Sequence, residues 1–197
     1  MSESSAPGRA GGPDLTTRER ILHAVLRVIG TEGVVGVTNR RVAKEAGVSL
    51  GSITYHFATQ QDLLREAMLL FVAEETGRLA RIAEERRADV GELGTAAALV
   101  EQIAQSTRFG HEEIAPLELY IQAGRDESLR DVAAACFAAY DHIAKTVLAS
   151  LGVPDPDRLA GPVVALITGF QLRRLATGTT GDTGIAEALT TLASGAL

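Results

Sequence analysis

Cysteine is almost missing from this sequence: Cys136 is the single one. One thiol excludes an internal disulfide framework and the multi-cysteine zinc sites. Set among Ala and Phe, it reads as inert packing. Tryptophan is absent and aromatic residues make up only 4% of the chain, so any ligand pocket is expected to be walled by aliphatic side chains. Alternating polar and apolar runs of the kind that build half-buried strands are lacking. No apolar run approaches the ~20 residues that span a bilayer, and no membrane partner is expected. The first fourteen residues, MSESSAPGRAGGPD, lack the apolar core and cleavage pattern of a signal peptide and read as a disordered polar tail. A cytoplasmic location is expected.

Catalytic signatures are lacking too. There is no glycine-rich phosphate loop and no nucleophile elbow. The four histidines, His23, His56, His111 and His142, keep no metal-ligand spacing. His111 to Glu113 could meet a cation, but consecutive helical residues diverge around the axis, so a solvated helix end is expected there. We expect no enzyme activity, no metal and no cofactor.

What is present is a polarised charge. The formal net charge is −6, yet it is unevenly spread. From residue 15 to 65, Arg18, Arg20, Arg27, Arg40, Arg41, Lys44 and Arg65 outweigh Glu19, Glu32, Glu45 and Asp62, a net of +3. The acidic balance lies almost wholly beyond residue 65. A mildly basic head on an acidic body is a pattern that a phosphate backbone can meet, though a random surface imbalance would look the same.

Helical periodicity dominates the rest, giving an all-α fold of about nine helices. Thr16 and Glu19 form a capping box, and Ile21, Leu22, Val25, Val28 and Ile29 follow on one face. Thr38 caps a short second helix that buries Val42, Ala43 and Ala46, and Gly47 supplies the turn after it. Ser49 caps a third, whose inward residues are Ile53 and Phe57. Thr59, with Asp62, caps a fourth that runs to about Arg86. Further helices are expected over about 95–108, 114–122, 128–151, 156–178 and 184–194, with Pro162 forcing a kink or a later start in the penultimate one. The chain divides into a tail (1–14), a three-helix head (15–64) and a larger helical body (65–197).

Helices two and three with the Gly47 turn form a helix-turn-helix, the second member of which lies in the major groove when such a unit binds DNA. Gly51, Ser52, Thr54 and Tyr55 point away from Ile53 and Phe57 on a helical wheel. That exposed face is small, hydroxyl-rich and aromatic, which suits phosphate and base-edge contacts. A three-helix structural corner without a DNA role has the same composition and spacing.

The run Thr38-Asn-Arg-Arg-Val-Ala-Lys-Glu-Ala-Gly-Val-Ser-Leu-Gly-Ser-Ile-Thr-Tyr-His-Phe57, followed by Asp62-Leu63-Leu64, resembles the N-terminal domain of the tetracycline-repressor (TetR) family of bacterial transcriptional regulators. The resemblance covers about residues 17–64; the remainder resembles that family only in helical architecture, as a ligand-binding and dimerisation domain. It implies that Thr38 and Asn39 meet the DNA backbone and that Arg40 reaches a base. Leu50, Gly51, Ser52 and Thr54 then face bases, while Tyr55 and His56 brace phosphates and Ser49 caps beside them. Arg41 and Lys44 add charge. Two positions depart from the family: Thr54, where Tyr is frequent, and Gln60, where a phosphate-binding Lys is frequent. The implied partners are a palindromic double-stranded DNA operator, an unidentified small-molecule effector and a second copy of the chain.

In the body, Gly161, Ala165 and Gly169 recur every four residues on the penultimate helix, flanked by Val164, Thr168 and Leu172. Small residues so spaced let backbones approach closely. With Ile185, Leu189 and Leu192 of the last helix they are expected at a dimer interface; packing within one chain is the alternative. Candidate ligand contacts are Phe109, Glu118, Tyr120, Gln122, Arg125, Phe137, Tyr140, Ile167, Phe170 and Gln171. Glu118 falls on or beside an apolar face, where a carboxylate must be paired, protonated or used; a structural ion pair, Glu118–Arg125 or a similar one, is favoured over ligand recognition. The functional expectation is a dimeric repressor released from its operator by an effector. The alternative is a helical small-molecule-binding or interaction protein without specific DNA binding.

Overall fold

The computed structural model describes residues 15–85, 93–106, 111–178 and 184–194. The expected tail and the candidate Phe109 lie outside these residues. Nine α-helices and two short 3₁₀ turns make up the described elements: α1 (Thr17–Glu32), α2 (Asn39–Ala46), α3 (Leu50–His56), α4 (Gln60–Glu85), α5 (Leu93–Ser106), α6 (His111–Arg125), α7 (Arg130–Ser150), α8 (Pro156–Thr177) and α9 (Ile185–Ser194).

Local chemistry sets the boundaries in the head. Thr16 Oγ1 accepts from the Glu19 N–H at 3.2 Å while the Glu19 carboxylate takes the Thr16 N–H at 2.8 Å, closing the capping box of α1. Thr38 Oγ1 accepts from the Arg41 N–H and Ser49 Oγ from the Ser52 N–H, capping α2 and α3. Thr59 and Asp62 cap α4 reciprocally, at 3.0 and 3.1 Å. Gly47 ends α2 at φ +64°, in the left-handed region that a side chain would strain.

Three expectations are corrected. Helix α8 starts at Pro156 with Pro162 inside it, so of the kink or later start expected there the later start does not occur; burial of Leu159, Ala160 and Val163 around it offsets the backbone bond that Pro162 cannot donate. Helix α6 begins at His111 and carries Pro116 inside it. Glu127–Leu129 form a 3₁₀ turn ahead of α7 rather than its first turn, because Asp126 caps that turn by accepting from the Ser128 N–H at 3.0 Å. The stretch Glu127–Ser150 is long and apolar enough, by composition alone, to cross a membrane. Much of that apolarity is alanine, and α7 packs against α4 and α8.

Two buried clusters organise the chain. The first runs from Ile21 and Val25 of α1 through Ile53 of α3, Phe57 at its end and Leu63 to Val72 of α4, and continues into Leu119 of α6 and Cys136 of α7. The second joins Ala97 of α5, Leu148 of α7, Leu159 and Val163 of α8, and Ile185, Leu189 and Ala193 of α9. Helix α1 packs on α6. The division at residues 64 and 65 thus falls inside α4 and inside one core, separating roles rather than packing units.

Candidate nucleic-acid interface and ligand-binding body

Helix α3 turns Ile53 and Phe57 into the core and leaves Leu50, Gly51, Thr54 and Tyr55 exposed, with Tyr55 84% exposed and Leu50 53%. At Gly51 an added Cβ would meet only Ser49 Oγ at 3.7 Å, an ordinary contact, so nothing inside the chain requires glycine there. The open side faces outward, where a duplex would approach. Ser52 and His56 are half-buried flanks, and Ser52 Oγ lies 2.9 Å from Ser49 Oγ. Thr54 Oγ1 donates back to the Gly51 carbonyl at 3.2 Å, which leaves its oxygen able to accept. Thr38, Asn39, Arg40 and Lys44 are exposed on or beside α2, with Arg40 and Lys44 one turn apart.

The head's cations divide into two sets. Arg18 pairs with Glu66 at 2.8 Å and lies over the Phe57 ring; Arg27 pairs with Glu45 at 3.0 Å; Arg65 pairs with Asp131. Arg41, expected at the DNA, is held by Glu32 at 2.7 Å and Glu45 at 2.9 Å. Both carboxylates hydrogen-bond its guanidinium and raise its pKa, while Arg41 and Arg27 lower that of Glu45. The i,i+4 spacing of Arg41 and Glu45 was the signal that could have shown this. Among the described residues, Arg40 and Lys44 take no part in such pairs and present the available charge.

Arg20 was legible in the sequence only as a charge. Its Nη2 donates to the carbonyl oxygens of Ala46 at 3.0 Å and Gly47 at 3.1 Å, capping the end of α2 and fixing the turn that aims α3. No local pattern links residues this far apart. Arg20→Ala is expected to cost about 1 kcal/mol, since charged donors to carbonyls are worth ~1.5–3 kcal/mol and this side chain is exposed. The thermal midpoint should fall by about 2–4 °C, and calorimetry checks it. An unchanged midpoint would mean that the turn holds without Arg20.

In the body, Tyr120, Phe137 and Tyr140 gather where α6 and α7 meet. The rings of Tyr120 and Phe137 are 4.7 Å apart between centroids, and burial pushes both tyrosine hydroxyls upward in pKa. Scarce aromatic residues are thus collected at one place, packed against the first buried cluster. Cys136 beside them is buried, its thiol pushed up to about 11. Glu118 and Gln122 are half-buried, while Arg125 is exposed. The expected Glu118–Arg125 ion pair is not formed, because seven residues separate them by two turns, ~10 Å along the axis. Ile167 and Phe170 pack against the second cluster instead of joining the tyrosines, with Gln171 half-buried near them.

Arg65 ties this region to the head. Its guanidinium grips both Asp131 oxygens, one at 2.7 Å, and donates to the Ser128 carbonyl; Arg65 holds the Asp131 carboxyl down at about 2. His23 of α1 meets Glu74 of α4 at 3.2 Å.

The proposed interface residues separate. Ala165, Gly169 and Leu172 are exposed along α8, with Gly161, Val164 and Thr168 half-buried. Ile185 and Leu189 are corrected: both are buried in their own chain's second cluster, and Leu192 packs against it. The apolar face of α9 is taken up by α5 and α8 of the same chain.

A short α2, a tight glycine turn and an outward-facing α3 on a helical body define a helix-turn-helix DNA-binding protein. Residues 21–67 match the model of the bacterial regulatory proteins of the tetR family, and residues 90–195 match the tetracyclin repressor-like C-terminal domain. The chain belongs to the TetR family of transcriptional regulators. It is 30% identical over 168 residues to the HTH-type transcriptional regulator BetI of Agrobacterium fabrum, covering 82% of this chain and 78% of that protein. It is 44% identical to PksA of Bacillus subtilis over 66 residues, 34% of this chain and 32% of that one; that match is confined to about a third of each protein. Among solved structures, the multidrug binding protein EbrR complexed with imidazole is 34% identical, with a TM-score of 0.69 over 91% of this chain and 96% of that one. The transcriptional regulator SCO7518 of Streptomyces coelicolor A3(2), described as putative, is 29% identical with a TM-score of 0.72, covering 90% and 98%.

Proposed function

We propose that this regulator is a two-fold dimer that represses from a palindromic operator and is released by a flat aromatic effector. The observation that carries the reading is the shared core: α1 under the recognition head and the ring-bearing helices α6 and α7 belong to one buried cluster. A molecule wedged beside Tyr120 and Tyr140 displaces helices on which the head itself packs. Such a ligand shifts the equilibrium only by its difference in affinity for the two states. EbrR has been solved with ethidium, proflavin and malachite green, and the aromatic cluster here suits molecules of that kind.

Dimerisation is read from α8. An added Cβ at Gly161 or Gly169 would meet nothing within 4 Å, whereas glycine inside an exposed helix costs about 1 kcal/mol against alanine. A second backbone packed there accounts for that choice. Beside the stripe, Pro162, Leu166, Glu187 and Ala188 line an open groove of about 630 Å³ between α8 and α9. Ala165→Arg is expected to convert the dimer to a folded monomer in sedimentation velocity and to weaken operator binding. A dimer that survives it would move the interface elsewhere.

The operator experiment comes first. The protein is incubated with a random-sequence duplex pool, and the retained DNA is sequenced. An enriched palindrome, released by ethidium or proflavin, supports the whole reading. Enrichment untouched by any such ligand keeps the operator and removes the proposed effector class. No enrichment from folded dimer favours a helical ligand-binding protein without specific DNA binding.

A further inference from the structure

Gln60 opens α4, and its side chain crosses to the head. Its Nε2 donates to the carbonyl oxygen of Val37 at 2.7 Å, from 23 residues further along the chain. Val37 is already held on two other sides: its side chain is buried, and its N–H donates to the Val34 carbonyl at 3.1 Å. The carbonyl that Gln60 grips lies directly before Thr38, the cap of α2. Gln60 is itself anchored, because the Thr59 and Asp62 bonds fix the first turn of α4 around it. Helix α2 is therefore tied at its start by α4 through Gln60 and at its end by α1 through Arg20. Arg40 and Lys44 project from the segment between the two ties.

We propose that Gln60 is a positioning residue for DNA reading: it sets where Thr38 and Arg40 meet the duplex, acting through the Val37 carbonyl. This rests on the head being the element that reads the operator. Its expected place among the direct DNA contacts is thereby replaced by a role within the protein. The two roles differ in a measurable way. A backbone contact weakens binding to every sequence about equally, whereas a residue that aims a base-reading side chain changes discrimination between sequences. One part-buried hydrogen bond is also a small share of the total stability, so its loss leaves the protein folded.

The test uses the full chain, as wild type, Gln60→Ala, Gln60→Lys, Arg40→Ala and the Gln60→Ala/Arg40→Ala double variant. Binding is measured to the duplex enriched from the random pool and to a scrambled duplex of equal length. Gln60→Ala is expected to weaken operator binding about 5- to 50-fold, one hydrogen bond being lost in each head of a dimer, and to leave scrambled-duplex binding unchanged. In the Arg40→Ala background the same change should add little. Amide hydrogen exchange at Arg41, Val42 and Ala43 of the free protein, the first bonded amides of α2, should quicken in Gln60→Ala. It should return toward the wild-type rate in Gln60→Lys, which keeps a donor. Equal losses on both duplexes would overturn the proposal in favour of a direct backbone contact, and unchanged exchange would overturn the tie itself. If no duplex is enriched, the operator reading fails separately, while the exchange rates still decide whether Gln60 holds α2.

Discussion

Replacing both Arg40 and Tyr55 by alanine is expected to abolish specific operator binding while the protein stays folded and keeps the oligomeric state of the wild type. Arg40 is exposed on α2 and outside the ion pairs that hold Arg18, Arg27, Arg41 and Arg65. A guanidinium paired with a guanine edge is worth about 1–3 kcal/mol of discrimination, and a tyrosine hydroxyl on a phosphate about 0.5–1.5 kcal/mol. A two-fold dimer makes each contact twice, so the loss reaches roughly 3–9 kcal/mol in total. Specific binding exceeds non-specific binding by about 4–10 kcal/mol, so most or all of the discrimination disappears. Tyr55 is 84% exposed and Arg40 projects into solvent, so neither truncation opens a cavity. Electrophoretic shift of the enriched duplex, with sedimentation velocity as control, measures both halves of the expectation. Retained sequence-specific binding by the double variant would place the reading residues elsewhere.

Leu119→Ala is expected to be strongly destabilising. Leu119 is 0% exposed and belongs to the cluster shared by α1, α4, α6 and α7. Truncating a buried leucine costs about 2–5 kcal/mol, the spread depending on how far the site collapses. Against a total stability of ~5–15 kcal/mol this is a large fraction, equivalent to a fall in thermal midpoint of about 5–15 °C. Ile121, two residues on in the same helix, is 52% exposed, and its truncation should stay within about 0.5 kcal/mol. Urea titration of the pair separates burial from helix propensity, because both lose a large aliphatic side chain from α6. Similar losses in the two variants would show that the Leu119 site relaxes fully. Because the core is shared, Leu119→Ala should also lower operator affinity without any change in the head, through loosened support of α1.

Such coupling fits a regulator whose effector acts at a distance. The head has no independent core to swivel on. Helix α4 carries it directly, Arg65 ties the start of α4 to the start of α7 through Asp131, and His23 with Glu74 ties α1 to α4. A ligand at the site proposed beside Tyr120, Phe137 and Tyr140 would press on α6, which packs on α1, and on α7, which packs on α4. The head can be shifted by small motions of the helices it is packed against.

Much of the head was legible residue by residue. Its signals are short-range: Thr16 with Glu19, Thr38 with the Arg41 N–H, Ser49 with the Ser52 N–H, and Thr59 with Asp62 each close within three residues. Backbone groups at helix ends must be satisfied locally, so the residues that satisfy them mark where helices begin. The outward set on α3 followed from the same regularity, since Ile53 and Phe57 one turn apart dictate which side remains. The body was legible only as helices. A periodic apolar stripe says that a face is buried but not against what, and Ile185 with Leu189 showed the consequence by packing within their own chain.

By itself, then, the sequence determined the helices, their caps, the helix-turn-helix and its exposed reading face, because those depend on neighbours within a turn or two. Only the tertiary structure decided the rest: that Arg41 is bound to Glu32 and Glu45, that Gln60 and Arg20 hold the two ends of α2, and that scarce aromatics meet between α6 and α7. These depend on side chains brought together from distant positions, where the partner of a charge or an amide is chosen by packing rather than by spacing.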